Sequence, residues 1–325
     1  MPRRKITRKA QPPPTTPGDN REYVIQSYIV CIMDLLGQSQ RLKGLETLPS
    51  NGRPTSQMIK AFGETVGAVR RFREMFEGFF DQFKKISLTD EELGRLAPEQ
   101  HEQFLRIREA VRTTQQFSDT FVFYAPVDNS FGDRTGAALN SMLGAAALGL
   151  LVGLAGGIPC RGGITVGTGT EIDAGNFYGP ALVMAYEMES EIAEYPRVVL
   201  SQEAVELARR KTGFSGDAEI ERLLVKHHQS PPRLLCTDSD GVTIVDFMGG
   251  EFQSIVSAMP EFAGMASQAY RFARSEAARC EAEGRYKLAK RYFRLLDYME
   301  PRLSLWGIAK EGSDLGSGVA GDYSG

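Results

Sequence analysis

The chain has 325 residues, of which 42% are hydrophobic and 24% charged, and its formal net charge is -3. This composition is typical of a globular protein with a sizeable core, and it excludes collagen-like, wholly disordered and coiled-coil-only proteins. The slightly acidic balance disfavours a protein that mainly binds nucleic-acid phosphates.

Metal-binding residue types are scarce. The four cysteines show no CxxC spacing and there are only three histidines, so a zinc site is disfavoured. Any metal ion would then be held by carboxylates, which suits Mg2+ or Mn2+. The scattered cysteines also indicate reduced thiols, and we expect a cytoplasmic protein.

Two segments at the ends lack core residues. Residues 1–20 are basic and then proline-rich, and residues 313–325 are rich in glycine and serine, so we expect two disordered tails.

Residues 137–158 are apolar enough to raise the question of a membrane span. Their many alanines and glycines favour instead a helix that lies on a sheet, and we expect no membrane insertion.

Strands are predicted from runs of β-branched and aromatic residues. A buried strand over 23–33 ends at Asp34, and residues 113–124 alternate around a Ser-Asp pair, which predicts a hairpin with Asp119 at its tip. Residues 161–167, 241–247 and, more briefly, 198–200 are further strand candidates.

Helices are predicted on both sides of these strands. An aromatic stripe with helical spacing indicates a helix whose stripe forms core or a subunit interface, and residues 89–92 have the pattern of a capping box. Two amphipathic segments within 261–299 meet near Gly284 and predict a helical hairpin. The members of the stripe are Val69, Phe72, Phe76, Phe79 and Phe83.

Two aspartates follow apolar strands, where carboxylates are costly. Asp34 ends the first strand and Asp119 lies in a hairpin of Phe, Val and Tyr. Taken singly, Asp34 could cap a helix and Asp119 could form a turn. If the first strand lies beside the hairpin, both carboxylates reach one edge of the sheet, where their repulsion is relieved by divalent cations. Such oxygen-bound ions activate a hydroxyl and stabilise a leaving phosphate.

Phosphate-binding groups are predicted nearby. Leu36 and Gly37 open a helix directly after Asp34, with backbone N–H groups that suit a phosphate chain, and glycine allows a close approach. Arg161 begins a strand and offers a planar fork of donors for a phosphate, although it could equally be a surface cation.

The order of these motifs resembles the class III nucleotide cyclases, and most closely the bacterial pyrimidine cyclases of the Pycsar anti-phage defence system. Asp34-Leu35-Leu36-Gly37 is similar to the family's first metal motif, Phe117-Ser118-Asp119 to its second, and Arg161-Gly162-Gly163-Ile164 to its phosphate strand. Residues 178–190, YGPALVMAYEMES, look like the helix after its flexible glycine loop. The resemblance covers about residues 25–200.

The resemblance implies an α+β fold, with a ferredoxin-like βαββαβ core that works as a head-to-tail homodimer with active sites at the interface. The expected organisation is a tail over 1–20, a catalytic domain over 21–250 with a helical insertion at about 43–112, a C-terminal helical hairpin over 251–312, and a tail over 313–325.

The resemblance also implies roles for individual residues. Asp34, Asp119 and the Leu35 carbonyl would hold two Mg2+ or Mn2+ ions, and Arg161 with the amides of Leu36 and Gly37 would hold the triphosphate. The ribose 3'-hydroxyl would then attack the α-phosphate in line.

Some positions depart from the family pattern. Gln115 and Asn176 stand where purine cyclases have a Lys and an Asp, and two amides leave ATP disfavoured while allowing a pyrimidine. They could also be ordinary polar residues of a strand and a loop. The transition-state Asn and Arg align with Val183 and Glu187, which cannot donate. Arg197 is the first candidate to replace them, or it is a structural ion-pair partner of Glu187 or Glu189.

The resemblance thus implies an enzyme, a pyrimidine cyclase that makes cUMP in preference to cCMP as a signal in anti-phage defence, with a cyclic-nucleotide effector acting downstream. Nucleic-acid binding is not expected. Two alternatives stay open: a purine cyclase of the same class, and a non-catalytic nucleotide-binding or dimerisation module.

Overall fold

The structure is a computed structural model that describes residues 23–38, 42, 43, 45, 49, 52–85, 88–108, 110–127, 132–210, 218–227 and 230–310. Over these residues the chain is an α+β protein built on a mixed eight-stranded sheet, as the sequence predicts at this level. Both expected tails, 1–20 and 313–325, lie outside the described residues.

The strand order in the sheet is β2-β3-β1-β4-β6-β8-β7, and β5 pairs with β4 outside this path. Only the pairing of β4 with β6 is parallel among the strands described. The strands are β1 Gln26–Leu35, β2 Thr113–Phe117, β3 Thr120–Pro126, β4 Cys160–Asp173, β5 Asn176–Tyr178, β6 Val198–Leu200, β7 Leu235–Thr237 and β8 Thr243–Val245.

Helices cover both faces of the sheet and extend the chain beyond it. The α-helices are α1 Ser56–Phe83, α2 Asp90–Arg95, α3 Pro98–Arg108, α4 Gly132–Ala155, α5 Pro180–Glu187, α6 Gln202–Arg209, α7 Ala218–Lys226, α8 Gly250–Ser257, α9 Met265–Ala282 and α10 Tyr286–Met299. Helix α5 continues as a π-helix, Met188–Ile192, and 3-10 turns lie at Pro231–Leu234, Pro260–Phe262 and Glu300–Trp306.

The main core lies between the sheet and helices α1 and α4, which pack on each other. Phe76 of α1 stacks on Phe123 of β3 with ring centroids 3.7 Å apart. A side chain at Gly144 of α4 would collide with the Phe83 ring, so glycine lets the two helices approach closely. The aromatic stripe is therefore core, with Phe80 as a further buried member.

This packing corrects one expectation about the chain's organisation. Residues 43–112 are not simply a helical insertion, because α1 covers the sheet as part of the core. The apolar stretch Arg134–Ala155 is the one helix within the described residues that is long and apolar enough to cross a membrane, and 94% of an apolar 18-residue window within it is buried inside the protein. The predicted helix on the sheet is thus confirmed.

The opposite face of the sheet carries a smaller apolar cluster beneath helix α5. Alternate residues of β1, namely Tyr28, Val30 and Ile32, contribute to it. Because strand side chains alternate between faces, Asp34 lies on this same face.

The C-terminal helical hairpin is also confirmed. Helices α9 and α10 are joined through Gly284, whose φ is 68°, and α9 packs against α4. Tyr298 of α10 donates to Asp246 over 2.8 Å, and Arg302 donates to the same carboxylate over 3.0 Å. These bonds anchor the hairpin to the end of β8.

Candidate active site

A polar row crosses the end of the smaller face. The sheet register places Asp34 opposite Thr120 of β3 on one side and opposite Arg161 of β4 on the other. Residues directly opposite one another in antiparallel strands share a face, so the three side chains lie together. The Thr120 hydroxyl donates to Asp34 Oδ1 over 2.7 Å, which fixes the carboxylate.

Asp119 reaches this row from the tip of the β2–β3 hairpin. Ser118 and Asp119 form the turn, with Ser118 at a φ of 57°, and the Leu35 amide donates to the Asp119 carbonyl over 3.2 Å. The hairpin tip is thereby joined to the end of β1. Burial raises the pKa of Asp34, and the nearby Asp119 carboxylate raises it further, against the Thr120 hydrogen bond and the Arg161 charge.

The two carboxylates fit the divalent cations that the resemblance implies. They are close enough to repel, and a cation between them removes that repulsion. Within the described ranges, no group of three or more His, Cys, Asp and Glu side chains gathers as a metal site. Asp34, Asp119 and the Leu35 carbonyl would therefore supply only part of a coordination shell, as is usual for Mg2+ that also binds substrate phosphates and water.

Arg161 is held by an acidic residue of the π-helix. Its Nε donates to Glu189 Oε1 over 2.5 Å, and the Glu189 side chain is only 4% exposed. Burial raises the pKa of Glu189, while the charge of Arg161 lowers it and that of Asp34 raises it. Arg161 thus interacts with two carboxylates, those of Asp34 and Glu189, and its single positive charge cannot balance both.

The glycines after Arg161 let Glu189 reach it. A Cβ at Gly163 would lie 2.7 Å from the Ala185 carbonyl oxygen and 2.8 Å from the Met188 Cβ, and one at Gly162 would lie 2.4 Å from the Ile32 carbonyl oxygen. Real Cβ atoms do not approach so closely, so glycine at 163 lets α5 and the π-helix lie directly on β4.

The expected phosphate amides are only partly available. The Leu36 amide donates to the Pro159 carbonyl over 2.8 Å and is therefore already used. Gly37 has a φ of +87°, a conformation that favours glycine, in the turn after β1. Both residues line a cavity against the C-terminal hairpin.

The two amides expected to read the base lie close to each other. Gln115 Oε1 accepts the Phe177 N–H over 3.0 Å, and Asn176 is the exposed residue directly before Phe177. Gln115 is opposite Val122, which is opposite Ile32. It is thus offset from Asp34 by about 7 Å along the strands and about 10 Å across them.

Arg197 has the environment of a structural residue rather than of a catalytic one. It is 1% exposed, its two Nη atoms donate to Asp238 over 2.5 Å and to Asp240 over 2.8 Å, and its Nε donates to the Ala193 carbonyl. Its donors are engaged, so the geometry favours the ion-pair alternative. The partners are Asp238 and Asp240, and the expected pairing with Glu187 or Glu189 is wrong.

Sequence reasoning missed two residues of the cluster. Thr120 directly follows Asp119, and Glu189 lies within the segment that looks like the family's helix. A strand register for β1 and β3 would have identified Thr120. The position of Glu189 depends on the π-helix, which changes the side of the helix on which a residue lies. Such a change leaves no clear periodic signal in the sequence.

The chain matches no protein-family model and no curated protein.

Proposed function

We propose that this chain is a pyrimidine nucleotide cyclase, which converts UTP or CTP to the 3',5'-cyclic nucleotide and pyrophosphate. The observation that carries the proposal is the convergence of Asp34 and Asp119 beside Arg161 at one end of the sheet. The strand order β2-β3-β1-β4, with α1 and α4 on one face, supports it, because the chain then runs β-α-β-β-α-β as in the ferredoxin-like core of the class III cyclases.

The chain's own residues would act mainly by positioning and by electrostatics. Bound metal ions would supply the Lewis acidity that activates the ribose 3'-hydroxyl and neutralises the leaving pyrophosphate. Asp34, oriented by Thr120, and Asp119 would hold them. Arg161, oriented by Glu189, would donate to a phosphate oxygen as negative charge develops there.

The surface around the site supports a homodimer. Phe117, Tyr178, Val183 and Tyr186 are each more than half exposed, and they lie on the hairpin tip, β5 and α5. Contiguous exposed apolar side chains commonly mark a protein interface. A second copy on this face would close the site and bring its own Gln115 and Asn176 toward the substrate base.

The preference for a pyrimidine rests on these two amides. An amide can donate to and accept from the uracil or cytosine edge, whereas the Lys and Asp of purine cyclases are absent here. The Gln115 carbonyl already accepts from Phe177, so its NH2 group is the part that remains for the base.

A non-catalytic nucleotide-binding module is the second candidate, and a specific observation favours it. Val183 and Glu187 cannot stabilise a transition-state charge, and the donors of Arg197 are engaged. In this case the carboxylates would still bind metal and nucleotide, but no cyclic product would form.

Incubation of the purified protein with each of the four ribonucleoside triphosphates and Mn2+, followed by mass analysis of the products, tests both candidates. We expect cUMP or cCMP from the wild type and none from Asp34→Asn. The matched control is Asp297→Asn on the exposed side of α10, which should stay active. A purine product would overturn the base assignment, and a lack of any product would favour the binding module.

The signalling role is part of the same proposal. We expect the cyclic nucleotide to activate an effector protein during phage infection, which the resemblance implies. The signalling role is tested by phage plating on cells that carry the wild type or Asp34→Asn, each together with its neighbouring genes. Equal plating efficiency on the two strains would contradict that role.

A further inference from the structure

A cavity of about 590 Å³ lies between the Leu36–Gly37 turn and the C-terminal helical hairpin. Its size is within the range of small-molecule sites. The wall opposite the turn is formed by α9 and α10. The residues of the hairpin that line it are Phe272, Glu276, Arg279, Arg285, Leu288, Arg291 and Tyr292.

The charges in this cavity favour an anion. Arg279 is paired with Glu276 and with Glu283, so these groups largely compensate one another. Arg285 has only a longer contact, 3.4 Å, to Glu283. Arg291 has no hydrogen-bonding or charged partner anywhere in the described part of the chain, although it is half-buried. A half-buried guanidinium without a partner gains from binding an anion.

The remaining lining suits the organic part of a ligand. Phe272 and Tyr292 meet edge to face, with ring centroids 6.1 Å apart, and Leu288 lies beside them in the wall. Glu276 would repel a ligand that was anionic throughout. The lining therefore fits a molecule with a phosphate chain at one end and an uncharged body at the other.

We propose that this cavity binds a phosphate-bearing ligand, with Arg291 and Arg285 as its phosphate-binding groups. The ligand would contact the turn that begins two residues after Asp34, so binding would affect the end of the strand that carries this carboxylate. The phosphate chain has two possible sources: the distal phosphates of a nucleotide in the active site, or a separate phosphorylated effector.

Calorimetric titration of the full chain with pyrophosphate tests the proposal without any turnover. We expect saturable binding to the wild type and binding weaker by about tenfold or more in Arg291→Gln and in Arg285→Gln, since each loses a charge-assisted hydrogen bond. Lys290→Gln is the matched control, because Lys290 is an exposed neighbour outside the cavity lining. Absence of binding to the wild type, or equal binding to Arg291→Gln and Lys290→Gln, would overturn the proposal.

Titration with UTP separates the two sources. If the nucleotide's own phosphates occupy the cavity, Arg291→Gln weakens UTP binding as well, and pyrophosphate competes with UTP. If a separate ligand occupies it, Arg291→Gln weakens pyrophosphate binding alone. Because pyrophosphate binding is measured directly, failure of the cyclase proposal would not be mistaken for failure of this one.

Discussion

In the metal-free protein, the carboxylate pair of Asp34 and Asp119 lowers the free energy of unfolding. Asp34 is partly buried, and its pKa is raised first by that burial and then by the charge of Asp119. Glu189, also buried, has a raised pKa for the same leading reason. The fold therefore disfavours a negative charge at both positions, which is typical of functional sites.

The direction of the Asp34 pKa shift gives a stability prediction for Asp34→Asn. A carboxyl whose folded pKa lies above its unfolded value binds more protons in the folded state, so its contribution to stability falls as pH rises through the raised pKa. Without metal ions, we expect Asp34→Asn to unfold at a higher temperature than the wild type at neutral pH. The difference should vanish below the ordinary pKa of aspartate, about 3.9.

Thermal unfolding in a chelating buffer over a range of pH measures this difference. Asp297→Asn should follow the wild type at every pH, since Asp297 is exposed. A wild type that is more stable than Asp34→Asn at neutral pH without metal would contradict the account of the site.

Metal ions should reverse the order of stability. At an Mn2+ concentration about 100 times the dissociation constant, binding to the folded state adds about 2.7 kcal/mol to the free energy of unfolding. We expect Mn2+ to raise the Tm of the wild type and to leave Asp34→Asn and Asp119→Asn nearly unchanged, and removal of the ion by chelation to restore the original Tm. An equal rise in all three proteins would place the metal elsewhere.

At the scale of elements, the contact between β4 and the α5 segment decides where Glu189 lies. Gly163 leaves no space for a methyl group beneath this segment, and the π-helix that follows α5 carries Glu189 over Arg161. A small change in the strand therefore changes the position of an ion pair on the neighbouring helix.

Gly163→Ala should test this contact. We expect a loss of about 1–3 kcal/mol in the free energy of unfolding, which is typical of overpacking, and a loss of any cyclase activity in the fraction that folds. Gly63→Ala is the control: Gly63 is an exposed position inside α1 with open space around it, and alanine there should add about 0.5–1 kcal/mol. Denaturant unfolding measures both, and an unchanged stability for Gly163→Ala would show that the helix can move away.

Sequence patterns predict the elements that have a strong local signal. The run of β-branched and aromatic residues in β1, the alternation around the Ser-Asp turn of the hairpin and the amphipathic periods of α9 and α10 each extend over several residues. The capping box before α2 is also present. Strands β5 and β7 are three residues long, like β6, but they lack the run of apolar β-branched residues that predicts β6, and the sequence does not predict them.

Long-range pairing explains what else the sequence leaves out. Arg197 is bonded to Asp238 and Asp240, more than 40 positions away, and no spacing rule links such residues. The role of α1 as core likewise depends on its register against β3, where Phe72 meets Phe121. The candidate site is recoverable because its motifs are local, whereas the hydrogen bonds that orient it are not.

At the scale of the whole molecule, the exposed apolar residues around the site favour the proposed homodimer. Val183 and Tyr186 of α5 and Tyr178 of β5 are each more than half exposed. We expect the wild type to be a dimer in light-scattering chromatography and Val183→Asp to be a monomer without activity. Val225→Asp, at an exposed position of α7 that is 40% accessible, should stay a dimer; a monomeric wild type with full activity would contradict the shared site.

A mixing experiment tests whether the copies share each site. Asp34→Asn and a Gln115→Ala, Asn176→Ala double variant should each be inactive alone. Random assembly makes half of the dimers mixed, each with one intact site, so the equimolar mixture should regain about a quarter of wild-type activity. Recovery of no activity would mean that each copy contains its whole site.

The apolar helix α4 makes the order in which the elements fold important for this chain. It is as apolar as a membrane-crossing segment, yet 94% of an apolar 18-residue window within it is buried inside the protein. During synthesis, β1, α1 and the β2–β3 hairpin leave the ribosome before this helix, so α1 can cover one side of it as it emerges, whereas β4 and α9 cover it later. A variant that weakens those early elements would leave the apolar helix exposed as it emerges. Such a variant would aggregate or be taken up by the membrane-insertion machinery, although its site residues were unchanged.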